Sequence, residues 1–154
     1  MTKKDNPDVI APPPIIFLCF LVLGYSLNRF YPLAFLEQPL NIIISAVFFV
    51  YAGLTAGLAF FYMTKSGTNV DVRKPTNTIV TVSVYSYTRN PMYLSMAILL
   101  LAFALLLNAL WIALTIPFFM FVMQKGVIER EEAYLENKFG NEYMQYKNRV
   151  RRWV

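Results

Sequence analysis

Histidine is absent from this 154-residue chain, cysteine occurs once, and charged residues make up only 15% of it. Each shortage removes a class of function. Without histidine the commonest metal ligand and the commonest general base are both missing. The lone Cys19 can form neither an intrachain disulfide nor a cysteine cluster, so no metal site is expected. The scarcity of charge excludes an ordinary soluble domain: 57% hydrophobic residues and a mean hydropathy of +0.46 exceed what a core of this size can hide. Chemistry in such a chain has to rest on carboxylates, tyrosines, arginines or a cofactor.

The apolar residues are laid out as an all-α integral membrane protein with about four transmembrane helices. The first run, about 14–30, follows Lys3, Lys4 and the Pro12–Pro14 triplet. It reads as a retained anchor, because no small-x-small cleavage site follows it. The second run, 40–63, is long enough to span and carries "GLTAG", whose Gly53 and Gly57 share a face suited to close helix packing. From Met92 to Met123 the chain is almost continuously apolar. A single straight helix of that length would reach roughly 48 Å, against a hydrocarbon core of about 30 Å. The run should therefore fold as a tight hairpin at Asn108, giving spans of about 91–107 and 109–126, with Pro117 as a kink in the second.

The net charge of +5 tests that break. With a turn at Asn108, both termini share a side with the 64–90 loop, and that side collects every Lys and Arg except Arg29. Without the turn the asymmetry nearly vanishes. Positive-inside logic thus predicts both termini and any active site on the cytoplasmic face, in the cytoplasmic membrane if the source is bacterial. Basic residues that flank apolar runs also argue against nucleic acid as a partner. On that face lie a polar linker, "KSGTNVDVRKPTN", a β-branched stretch, "TIVTVSVYSY", expected as a short extended segment, and a helical tail over 127–154.

Two motifs carry polar chemistry. In "SYTRNPMYL", Asn90 is a favoured N-cap and Pro91 a favoured first helical residue, which explains a helix start at a water–lipid boundary. The same geometry makes an anion site, since free N–H groups and the positive dipole end lie beside Arg89. In the tail, at 100° per residue, Ile128, Leu135 and Phe139 form an apolar stripe that contains Glu132, with Glu131 at its edge. Glu129 and Glu136 project toward water. A carboxylate facing the membrane domain must be paired or satisfied, so Glu132 is a functional candidate, with Arg89 or a bound cation as its partner.

"TRNPMYL" followed about forty residues later by "EREEAYLENKFGNEYMQYKNRVRRW" resembles the isoprenylcysteine carboxyl methyltransferase and phospholipid methyltransferase superfamily of integral membrane enzymes. The resemblance covers roughly Thr78 to the carboxyl terminus and makes 1–154 one membrane methyltransferase-like domain. It implies a pocket for S-adenosylmethionine lined by Arg89, Asn90, Pro91, Tyr93, Tyr85, Glu131 and Glu132, with Arg89 and Glu132 carrying the chemistry. Asn90 stands where histidine is frequent in the family, which removes an ionisable ring, and Ser83 stands where glycine often precedes the first tyrosine. The cofactor's carboxylate suits Arg89 and the helix start, its cationic groups or ribose suit Glu131 or Glu132, and its sulfonium or adenine suits the ring faces of Tyr93, Tyr85 or Trp153. The implied activity is methyl transfer to a lipophilic acceptor, isoprenylcysteine carboxylate-like or lipid-like, that enters from the bilayer. The competing readings are an NADPH-dependent reductase of the sterol-reductase type and a non-catalytic helical subunit whose basic tail lies on anionic lipid. The Glu-Glu pair favours the methyltransferase over both.

Overall fold

The computed structural model describes residues 5–154, so the Lys3 and Lys4 invoked for sidedness lie outside the described residues. The fold is all-α, and the only β-type pairing among those residues is an isolated parallel bridge between Thr88 and Arg151. Helices α1 (Pro13–Phe30), α2 (Leu40–Lys65), α3 (Pro91–Leu106) and α4 (Leu110–Met123) form the bundle. A π turn, Gln124–Ile128, carries α4 directly into α5 (Glu129–Phe139), and α6 (Asn141–Arg149) follows. Three stretches, α1, α2 and the continuous run Leu110–Phe139, are long and apolar enough to cross a bilayer, while α3 is a shorter apolar helix. The apolar part of the last run ends at Ile128, and the charged α5 continues beyond it. This is an integral membrane protein.

Packing runs α2 on α3, α3 on α4, and α4 on α1. The shared core holds Tyr93, Ala97, Leu100 and Ala104 of α3 with Ile112, Phe119 and Met123 of α4. The remaining apolar surface, including Val47, Val50, Leu54 and Phe61 of α2, is exposed, as a hydrocarbon solvent requires. Three buried hydroxyls are satisfied within their own helices: Ser45, Ser95 and Thr115 each donate to the carbonyl three residues back, at 2.7–2.8 Å.

Small residues bring helices together, but at other positions than "GLTAG". A Cβ on Gly24 would sit 2.7 Å from the Ile112 Cα, so α1 and α4 approach closely only because that residue is glycine. A Cβ on Gly126 would collide with Ile10, whose N–H donates to the Gly126 carbonyl at 3.1 Å. Gly53 and Gly57 face nothing. The packing stripe of α2 is instead Asn41, Ser45, Ala52, Thr55 and Ala59, which leaves the glycines on the opposite, lipid-facing side.

The hairpin turns at Asn108, whose φ of +46° is one that asparagine tolerates better than most residues. Its side chain also latches the loop between α1 and α2. Asn108 Oδ1 accepts from the Phe35 and Leu36 amides at 3.0 and 3.1 Å, and Nδ2 donates to the Leu36 carbonyl at 2.7 Å.

One expectation needs correction. The β-branched stretch is no strand: with no neighbouring strand to pair with, it closes into a 3-10 turn, Ser83–Ser86, and buries Val80 and Tyr85 against Ala59 of α2. The tail is helical as expected, in two pieces. Gly140, at φ +52°, ends α5 and starts α6, so the chain folds back toward the start of α3.

Candidate functional site

At the end of the bundle that holds both termini lies a cleft that is partly open to solvent. Its walls are the end of α2 (Met63), the loop from Thr68 to Val80, Tyr85, the start of α3, and the inner faces of α5 and α6. Pro7, in the segment before α1, completes the rim. That segment is strapped across α5: Asp5 pairs with Lys138 at 2.8 Å and accepts from the Tyr134 hydroxyl at 2.7 Å, and the Asp8 carbonyl accepts from Arg130 at 2.7 Å.

The sequence motifs position the site through the backbone. Pro91 opens α3 without an N–H to satisfy, and Asn90 occupies the residue before it. Asn90 does not cap with its side chain, as the sequence had suggested it would. Its Nδ2 donates instead to the Arg152 carbonyl at 2.8 Å, and the Thr88 hydroxyl donates to the same oxygen at 3.1 Å. The Arg89 amide donates to the Arg151 carbonyl at 3.0 Å. The carboxyl-terminal segment therefore clips onto residues 88–90 and fixes where the Arg89 side chain begins.

Arg89 is 8% exposed at its side chain, and its Nη2 lies 3.1 Å from Glu132 Oε1. Its Nε and Nη1 are fully buried and have no hydrogen-bond partner. A buried guanidinium N–H without an acceptor gives up the hydrogen bond that water would supply, so these groups mark a place built for an acceptor. Glu132 is 4% exposed and fully engaged: Arg152 holds both of its oxygens, Nε to Oε1 at 2.9 Å and Nη2 to Oε2 at 2.8 Å. Glu131 meets a different environment. The Tyr93 hydroxyl lies 2.8 and 2.9 Å from its two oxygens, donating to the carboxylate, and no cation pairs with it among the described residues. Desolvation raises its pKa to about 7; the Tyr93 bond opposes this and the neighbouring Glu132 charge adds to it.

All seven residues singled out from the sequence, Tyr85, Arg89, Asn90, Pro91, Tyr93, Glu131 and Glu132, line this one cleft. Trp153 does not: it packs on the bundle core, and its indole N–H donates to Gln124 at 3.2 Å. Glu129 and Glu136 lie off the cleft, yet neither is simply solvated, since Lys125 and Arg152 face the first and Lys147 pairs with the second. Sequence reasoning missed Tyr143 and Tyr146, which line the cleft from one face of α6, and missed Arg152. The three-residue spacing of the tyrosines was the available signal. Tyr146 donates to the Tyr85 carbonyl at 2.7 Å, and burial pushes the Tyr85, Tyr143 and Tyr146 phenols above their ordinary pKa, so all three remain protonated donors.

A family model described as phospholipid methyltransferase matches residues 40–142, about two-thirds of the chain. That span contains α2, α3, α4, α5 and every cleft residue named above except Pro7, Tyr143 and Tyr146. An uncharacterized protein of Haemophilus influenzae is 48% identical over 63 residues, which are 41% of this chain and the whole of that relative. No solved structure matches the chain. With its four apolar helices and a polar cleft between the start of α3 and the tail, the chain belongs to the phospholipid methyltransferase family.

Proposed function

We propose that the cleft binds S-adenosylmethionine and that the protein methylates a lipophilic acceptor reaching it from the bilayer, whether isoprenylcysteine carboxylate-like or lipid-like. The observation that carries this reading is the pair of buried, unpaired donors on Arg89 beside a carboxylate that has no cationic partner.

The residues present fit that cofactor. Its carboxylate would accept a charge-assisted hydrogen bond from Nε or Nη1 of Arg89, and Glu131 would take the ammonium or the ribose hydroxyls. The faces of Tyr85 and Tyr143 offer surfaces for the adenine or the sulfonium. Glu132, held by two arginines, fixes Arg89 rather than meeting the ligand. When bound, the cofactor would supply an activated methyl group for transfer to a lone pair of the acceptor. The protein's part is to orient and to exclude water, for which buried side chains such as Tyr93 and Glu132 in the cleft wall are suited. Met63, Val80 and Met92 give the side of the cleft nearest α2 an apolar lining that suits a lipophilic acceptor.

The same reading puts the cleft in the cytoplasm. Lys65, Arg73, Lys74, Arg89, Lys125, Arg130, Lys138, Lys147, Arg149, Arg151 and Arg152 belong to the cleft end, against Arg29 at the other. The cofactor assignment is tested by calorimetry on the full chain in detergent with S-adenosylhomocysteine and, separately, NADPH. Micromolar binding of the first, about −8 kcal/mol, is expected. Binding of NADPH alone would replace this reading with a membrane reductase.

A further inference from the structure

We infer that Arg152 is a positioning residue that keeps Arg89 available to the ligand's carboxylate; the inference rests on the cofactor reading above. The argument starts from Glu132. Its carboxylate has two oxygens, and the Arg152 fork occupies both, at 2.9 and 2.8 Å. Arg89 reaches that carboxylate with one nitrogen only, Nη2 at 3.1 Å, and in this geometry its Nε and Nη1 stay unpaired.

An arginine beside a carboxylate ordinarily forms the bidentate pair, because two parallel N–H bonds are the stronger arrangement. Arg152 pre-empts that arrangement. Without it, both Glu132 oxygens would be open to Arg89, and the guanidinium would turn to engage them with donors that otherwise have no partner. The backbone reinforces the same point. The carbonyls of Arg151 and Arg152 hold the Arg89 amide, the Thr88 hydroxyl and the Asn90 side chain, so one short segment sets both ends of the Arg89 environment. The family signature gives no hint of this, since Arg152 lies about twenty residues beyond the Glu-Glu pair and meets it only because Gly140 turns the tail back.

The consequence is selective. Losing Arg152 should weaken ligands that carry the carboxylate and spare those that do not. The test compares S-adenosylhomocysteine with methylthioadenosine, which keeps the nucleoside and the thioether but lacks the amino-acid group, on full-length protein in detergent. Arg152→Gln is expected to lower affinity for S-adenosylhomocysteine about tenfold and leave methylthioadenosine unchanged. Arg152→Lys, which keeps the charge but not the fork, should lose part of the preference. Equal losses for both ligands would show a merely structural contact, and an undiminished preference would show that Arg89 needs no help; either overturns the inference. If Arg152→Gln does not fold, the Lys variant decides by the same ratio. Wild-type protein that binds neither ligand would remove the cofactor reading itself, and the inference with it.

Discussion

At each end of the bundle a single polar side chain sits where apolar chain begins or turns, and the two are used in opposite ways. At the far end Asn108 makes three hydrogen bonds with its amide, all to the backbone of the 35–36 loop. At the cleft end Arg89 is more deeply buried, yet two of its donor nitrogens have no partner. A fold under pressure only to be stable would satisfy the buried charge before the half-exposed amide, because an unpaired charged donor is the costlier defect. The inversion separates the two ends by purpose. Asn108 closes a hairpin and latches a loop, whereas Arg89 is held ready for an anion.

If that contrast is right, the two residues should fail in different assays. Asn108→Ala removes three bonds and places alanine at a positive φ, so unfolding in detergent should show a loss of about 2–4 kcal/mol. Asn108→Gly should recover about 1 kcal/mol of it by relieving the backbone. Per folded molecule, ligand affinity should be unchanged in both. Arg89→Gln should behave in the reverse manner. Glu132 keeps both bonds to Arg152, so stability changes little, while affinity for S-adenosylhomocysteine falls by about 1.5–3 kcal/mol, the range of a charge-assisted pair. A variant of Asn108 that lost affinity, or of Arg89 that mainly lost stability, would break the comparison.

The two ends also differ in how readily the sequence discloses them. Asn108 is conspicuous because it interrupts an apolar run too long for one crossing, and a bilayer punishes a misplaced amide. The "RNPMY" and "EREE" motifs are equally visible, and the residues read from them meet with Tyr85 in one cleft. What stayed hidden depends on tertiary return paths. Tyr143 and Tyr146 reach the cleft, and Arg152 reaches Glu132, because Gly140 adopts φ +52° and reverses the tail, which helical periodicity cannot show. The Gly53–Gly57 face misled for a related reason. Spacing shows which residues share a face, but not which face meets α3, and Asn41, Ser45 and Ala52 won that position.

Within the cleft, Glu131 sharpens the contrast further, because its charge depends on pH near neutrality. Its folded pKa is raised from 4.5 to about 7 by desolvation, so the folded chain binds this proton more tightly than the unfolded one. Its contribution to stability is therefore greatest below the unfolded value and declines as pH rises toward 7. Ligand binding runs the other way if the carboxylate meets the cofactor's ammonium. Between about pH 5 and 7 affinity for S-adenosylhomocysteine should rise by up to roughly tenfold per unit, then level off. Glu131→Gln should flatten the profile and lower affinity at pH 8 by about 1.5 kcal/mol. A profile unchanged by Glu131→Gln would remove this residue from the ligand's surroundings.

The smallest effect is expected where an unpaired atom has no cleft beside it. Asn41, 2% exposed on α2, donates through Nδ2 to the Leu105 carbonyl at 3.3 Å, and its Oδ1 is buried without a partner. It shares the defect of Arg89 but not the setting, since it lies against α3 and is not part of the cleft. Such an oxygen is a cost with nothing to receive. Asn41→Ala would lose one long hydrogen bond, yet the Leu105 carbonyl keeps the Asn108 amide at 3.1 Å and is not orphaned. Removing the unpaired oxygen offsets that loss, and the small cavity left behind costs about 1 kcal/mol. The net change in unfolding free energy should lie within about 1 kcal/mol of zero, with ligand affinity untouched. A loss above about 2 kcal/mol would mean that Asn41 is a satisfied anchor like Asn108. A change in affinity would mean that unpaired polar atoms in this bundle report on the ligand wherever they lie, and the distinction between its two ends would then rest on Arg89 alone.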